Sequence, residues 1–150
     1  MLAEEQKEEK YYQPRSQYCD LFLSGLEEAK MNFTISLKKN ADYKNVYSKR
    51  KSFINKYLIM YVCENNLLID SKNINRIGIS VSKKVGNSVV RHRIKRVVKE
   101  VYRLHENIFN SGLDIVIVAR EGANGKSYKE LESAFLHLSK LHHIVNNKMR

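Results

Sequence analysis

Between Lys83 and Arg103 the chain carries eight lysines and arginines against a single acid, Glu100. At helical spacing Arg91, Lys95 and Lys99 fall four apart and stack like charges along one row, whereas a solvated helix face ordinarily mixes both signs. Self-repulsion on that scale is relieved by a polyanion. A row of about four to six phosphate contacts would make log affinity fall with log salt by about 0.7 to 0.9 per phosphate. Lys84, Gly86 and the first turn of the helix that follows also suggest a local anion nest, because first-turn amides and the helix dipole favour phosphate. Three tyrosines offer a second chemistry. Tyr43 and Tyr47 lie four apart, and Tyr61 lies in a strand-like run. They are either edge-of-core residues with wetted hydroxyls or a platform on which unpaired bases stack, at about 1 to 3 kcal/mol per base.

Other chemistries find little support. Gly125-Lys126-Ser127 imitates the end of a P-loop, but the motif needs glycine where Arg120 stands, and a helix cap explains Ser127 better. His142 and His143 are adjacent and would point apart on a helix, and His92, His105 and His137 share no metal-ligand spacing. No protein-borne catalytic residue or metal site is expected. Cys19 and Cys63 have no CxxC spacing, so neither a disulfide framework nor a cysteine zinc site is indicated.

The elements that must position these residues belong to a basic body. Residues 1–30 hold four basic and seven acidic side chains, a net of −3, which leaves 23 basic and nine acidic on residues 31–150, a net of +14. The leading stretch also holds the only proline, Pro14. We read 1–30 as a disordered or loosely attached extension, Met31 as an alternative start, and 31–150 as one basic domain. With 43% hydrophobic residues the chain can bury a core. No apolar run approaches the roughly 18 residues of a spanning helix, and Met1-Leu2-Ala3-Glu4-Glu5 lacks the basic and apolar regions of a secretory signal, so a cytoplasmic protein is expected. The aliphatic face of the cationic helix lacks Trp and Phe, which argues against a membrane surface as the acidic partner.

Within the body, Asn40 and Asp42 open a helix to about Lys49 whose Tyr43, Val46 and Tyr47 share a face. Phe53 to Cys63 alternates as a strand, and residues 64–75 read as a polar loop. Ile77, Ile79 and Val81 alternate with Gly78, Ser80 and Ser82, so one side of that strand is nearly bare and could floor a groove flanked by the tyrosines. After Gly86-Asn87-Ser88 comes the cationic helix with its apolar stripe Val90, Ile94, Val97, Val98, Val101 and Leu104. Leu113 to Ala119 reads as a doubly buried strand. Ser127 and Glu130 have capping-box spacing and start a helix with the stripe Leu131, Ala134, Phe135, Leu138, Leu141 and Val145.

The run Ile77-Gly78-Ile79-Ser80-Val81-Ser82-Lys83-Lys84-Val85-Gly86-Asn87-Ser88-Val89-Val90-Arg91-His92-Arg93-Ile94-Lys95-Arg96 closely resembles the signature of the bacterial ribonuclease P protein family. Leu37 to Tyr47 resembles that family's opening helix, and Asp114 to Arg120 its last strand. The resemblance spans about residues 35–145. It implies an α/β two-layer sandwich with a four-stranded mixed sheet, a left-handed βαβ crossover and the order α-β-β-β-α-β-α. Spacing alone would favour the right-handed form. It further implies a catalytic RNA subunit that cleaves precursor tRNA with Mg²⁺ to give the mature 5′ end, one protein per RNA, and a protein that carries no catalytic group.

Carried over by position, Arg93, Lys95, Arg96, Lys99 and Arg103 would face the RNA subunit. Tyr43, Tyr47, Tyr61, Lys83, Lys84, Asn87, Arg91 and His92 would hold the single-stranded 5′ leader. His92 departs from the family, which has asparagine between two arginines there. The rival reading is a ribosomal or general RNA-binding protein without a role in turnover, which would explain the charge but not the ordered match.

Overall fold

The computed structural model describes residues 33–146. The expected extension over 1–30 and the alternative start at Met31 lie outside the described residues. Strands β1 (Thr34–Ser36), β2 (Ser52–Ile54), β3 (Leu58–Glu64), β6 (Asn75–Val81) and β7 (Leu113–Ala119) form one mixed sheet in the order β1-β6-β7-β3-β2. A separate ribbon pairs β4 (Leu68–Ile69) with β5 (Lys72–Asn73). The helices are α1 (Asn40–Ser48), α2 (Ser88–Leu104) and α3 (Tyr128–Leu141). β6 and β7 are parallel neighbours joined through α2, which makes the βαβ unit, and β3 closes antiparallel on β7.

The mixed α/β architecture with its mixed sheet stands as expected, with corrections in the strands and with α1 covering the sheet face opposite α2 and α3. Among the described residues the sheet has five strands rather than four, because Thr34–Ser36 adds a parallel edge beside β6 before the first helix. Three residues are too few to show a period. That strand is held by a buried polar network instead: Thr34 donates to Glu106 (2.7 Å) and bonds the Tyr102 hydroxyl (2.8 Å). The expected single strand from Phe53 to Cys63 is a hairpin. The Asn55 side chain accepts from the amides of Tyr57 (3.1 Å) and Leu58 (2.9 Å), a local turn that breaks the run. The polar loop over 64–75 contains the ribbon, turned through Asp70 and Ser71 at positive φ.

Along one face of the sheet Leu58, Met60, Val62, Ile77, Ile115 and Ile117 are buried beneath α2 and α3. The α2 stripe is Ile94, Val97, Val98 and Val101, joined by Tyr102, while Leu104 at the helix end is exposed. In α3 the stripe ends at Leu138. Leu141 is exposed and Val145 lies beyond the helix, bridged to Phe109, because His142 and the left-handed His143 terminate α3 first. The other face holds a smaller cluster of Leu37, Val46, Cys63 and Val116 under α1. This two-sided burial explains the unbroken apolar run from Ile115 to Ala119 in β7.

Candidate nucleic-acid interface

Among the described residues a single helix of nine residues covers the second face. Five strands about 4.8 Å apart span about 19 Å, and a helix about 10 Å wide leaves part of that width open. Pairing register decides which side chains meet there. Gly78 lies beside Val116, which lies beside Tyr61; in the next row Ser80, Val118 and Ile59 align. These rows form the floor of the groove, and α1 forms one wall.

An ionic brace fixes α1 on the sheet. Arg76 forks onto Asp114 through Nε to Oδ1 (2.8 Å) and Nη2 to Oδ2 (2.6 Å), while its Nη1 reaches Asp42 in the first turn of α1 (3.2 Å). Asn65 adds a bond to Asp114 Oδ1 (2.8 Å). Asp114 is almost fully buried, and its bonds hold the Arg76 guanidinium above its ordinary range. The three partners are 34 and 38 residues apart, so no local spacing announces them.

Above the brace, Tyr43 lies on Gly78. A Cβ at Gly78 would come within 2.5 Å of the Tyr43 hydroxyl, and that hydroxyl donates to the Leu37 carbonyl (3.2 Å). The bareness of Gly78 therefore seats a tyrosine, and the accessible floor reduces to the half-buried Ser80, Val118 and Ile59. Tyr47 and Tyr61 meet edge to face at 4.8 Å and 76°, with Tyr43 6.4 Å from Tyr47. The sequence-predicted trio is thus brought together, but unequally: Tyr43 is pinned, while Tyr47 is 36% exposed. Burial raises the hydroxyl pKa of Tyr43, and burial with the neighbouring Tyr61 and Tyr43 raises that of Tyr47, so neither hydroxyl presents a negative charge to a phosphate near neutral pH.

The cations begin where the floor strand ends. Lys83 and Lys84 are exposed in a turn closed by the Val85 amide on Ser82 O (3.1 Å). Asn87 caps α2 by accepting from the Val90 amide (3.0 Å), which occupies its carbonyl oxygen. Gly86 has no positive φ; a Cβ there would press within 2.8 Å of Val90, so packing against the new helix accounts for it and an anion nest is not required. Arg91 is half-buried, with its Nε buried and without a hydrogen-bond partner among the described residues.

His92, Lys95, Arg96 and Lys99 are exposed, and none of the three cations has an acidic partner among the described residues. Arg93 is half-buried. Arg103 is bidentate on Glu100 (2.8 and 2.6 Å), which ties up the one acid of the segment. What remains is an aromatic groove whose floor strand runs out to the Lys83–Lys84 turn and on into a helix with exposed cations of one sign, a combination suited to unpaired bases and phosphates together. Among the described residues no group of three or more His, Cys, Asp or Glu could hold a metal ion.

Comparison with known proteins gives a consistent result. The family model described as Ribonuclease P matches residues 31–142. The ribonuclease P protein component of Lachnoclostridium phytofermentans is 62% identical over 112 residues, 75% of this chain and 92% of the relative. That of Alkaliphilus oremlandii is 50% identical over 111 residues, 74% and 93% of the two chains. Among solved structures, the Staphylococcus aureus RNase P protein superposes with a TM-score of 0.66 at 33% identity, covering 74% of this chain and 97% of that one. The Thermotoga maritima protein, at 24% identity, shares the fold with a TM-score of 0.62 over 70% of this chain and 96% of its own.

Proposed function

This chain belongs to the ribonuclease P protein family, whose work is tRNA processing, and from that membership we propose that it holds the single-stranded 5′ leader of precursor tRNA in the groove beside α1 while α2 faces the RNA subunit. The observation that carries this reading is the edge-to-face pair of exposed Tyr47 and half-buried Tyr61 beside an open floor that runs out to Lys83 and Lys84. Stacking supplies sequence-tolerant affinity, as a leader of varied sequence requires, and the lysines take the phosphates at the strand end. Lys95, Arg96 and Lys99 lower the repulsion between two closely packed RNAs. In this reading the hydrolysis, and the Mg²⁺ that assists it, belong to the RNA subunit. The described carboxylates are committed to Arg76, Arg103 and Thr34 or scattered, and they do not fit a Mg²⁺ centre. One protein serves one RNA, in the cytoplasm, and residues 1–30 are dispensable for the role.

The test is cleavage of precursor tRNA at low Mg²⁺ by a bacterial ribonuclease P RNA, with and without the protein. The reading expects stimulation by the full chain and by a chain starting at Met31. No stimulation, or cleavage by the protein without RNA, overturns it.

A further inference from the structure

A second basic feature lies at the end of the sheet where β6 and β7 finish and β3 begins. Three loops are locked together there. The Asn124 side chain donates to Val85 O (3.0 Å), which holds the loop after β7 against the Lys83–Lys84 turn. Arg120 donates through its amide to Tyr57 O (2.9 Å) and through Nη1 to Asn55 O (2.7 Å), which holds the same loop against the β2–β3 turn. Asn55 in turn donates to Ala134 O on α3 (3.0 Å). The linkage carries a belt of cations from Lys84 past Arg120 and Lys126 to Lys56 and Lys129.

The belt ends in a groove of about 440 Å³ between the β2–β3 turn and α3, lined by Lys56, Tyr57, Lys129, Ser133 and His137. Lys126 Nζ stands 5.3 Å from the centre of the Tyr57 ring. Lys56, Lys126 and Lys129 form no ion pair among the described residues. Glu130, the acid in the groove, turns Oε1 back onto the amide and hydroxyl of Ser127 (both 3.1 Å) in the capping box of α3. Cations, a hydroxyl, an imidazole and an aromatic edge on a braced backbone match the parts of a ribonucleotide: phosphate, ribose and base.

We propose that this groove is a distal subsite for single-stranded RNA, taking leader nucleotides that lie beyond those on the Tyr47–Tyr61 platform. The proposal rests on the leader reading above and extends it. Tyr61 and Lys56 are five residues apart, so at most about 17 Å of chain separates them. At 3.4 Å or more per nucleotide, about five nucleotides or fewer bridge that distance, so the groove acts only on leaders long enough to reach it.

The experiment uses the holoenzyme, this chain with a bacterial ribonuclease P RNA, and measures its affinity for mature tRNA, a short-leader precursor and a precursor about five nucleotides longer. Lys56→Ala and Lys129→Ala, both at exposed positions, should each weaken the long-leader precursor about fivefold at about 0.1 M salt and lower its salt slope by about 0.7, leaving the other two RNAs unchanged. Equal losses across all three RNAs would assign the lysines to the RNA subunit or the tRNA body and overturn the subsite, as would no loss at all. Tyr47→Ala in the same series separates the two readings. It should weaken both precursors whatever their length, so its failure would count against the platform, while a length-dependent lysine effect would still report the groove.

Discussion

Gly78→Ala places a methyl group where the Tyr43 ring now rests, 2.5 Å from its hydroxyl oxygen, 2.7 Å from Cζ and 2.8 Å from Cε1. Real carbon contacts do not close to those distances, so the ring must lift. Lifting breaks the bond to the Leu37 carbonyl and loosens packing around Val46 and Val116. Overpacking of this kind costs about 1 to 3 kcal/mol, and a lost hydrogen bond adds about 1. A small opposing gain comes from the unfolded chain, since alanine in place of glycine stabilises by about 0.4 to 1 kcal/mol where the backbone tolerates it, and Gly78 sits in a strand without positive φ. The net expectation is a loss of about 1 to 3 kcal/mol in urea unfolding, with the denaturant slope unchanged. A double-mutant cycle makes the reasoning sharper. In a Tyr43→Ala background the clash is gone, so Gly78→Ala should turn neutral or stabilising, with a coupling of at least about 1 kcal/mol. Equal destabilisation by Gly78→Ala in both backgrounds would refute the seat.

Asp114→Ala should cost about 3 to 5 kcal/mol in the same measurement, because it removes the buried anchor of the Arg76 fork, leaves the guanidinium with Asp42 alone and takes a partner from Asn65; a loss below about 1 kcal/mol would mean the brace is incidental. His142 is buried against Phe53 with Nε2 donating to the Met60 carbonyl (2.8 Å). Burial, with a smaller contribution from Lys51, pulls its pKa below the ordinary 6.5, although the Met60 bond opposes the shift. The unfolded chain therefore takes up a proton that the folded one refuses. This contribution is present in full above pH 6.5 and is lost as the pH falls from there toward the depressed folded value. His142→Gln should flatten that part of the stability profile, and an unchanged profile would contradict the assignment. Arg96→Ala should weaken binding to the RNA subunit and lower the salt slope by about 0.7 to 0.9, whereas an unaltered slope would remove Arg96 from the interface.

The pieces that were legible in the sequence are those set by local rules. The α2 stripe follows from its period, the start of α3 from a capping box that forms as spaced, and β7 from an apolar run buried on both faces. The spacing of Tyr43 and Tyr47 gave the α1 wall of the groove, and the alternation around Tyr61 gave one side of its floor. What stayed hidden depends on pairing across distance. β1 is too short to carry a period and owes its place to Thr34, Tyr102 and Glu106. The break at Asn55 is a side-chain bond inside a run that otherwise alternates well. Gly78 read as empty floor because a sequence shows that a side chain is missing and not what rests in the space. Leu104 and Leu141 fit their stripes but fall at helix ends past the covering surface.

The most direct test of the account is the ratio of holoenzyme affinities for precursor and mature tRNA, measured for the wild-type chain and for Tyr47→Ala and Tyr61→Ala. Loss of one stacked base should cost about 1 to 3 kcal/mol, roughly fivefold to more than a hundredfold, and fall on the precursor alone. Each substitution should therefore reduce the ratio by that factor while affinity for mature tRNA holds. An unchanged ratio, with precursor and mature tRNA weakened alike or neither weakened, would contradict a leader site in the groove beside α1.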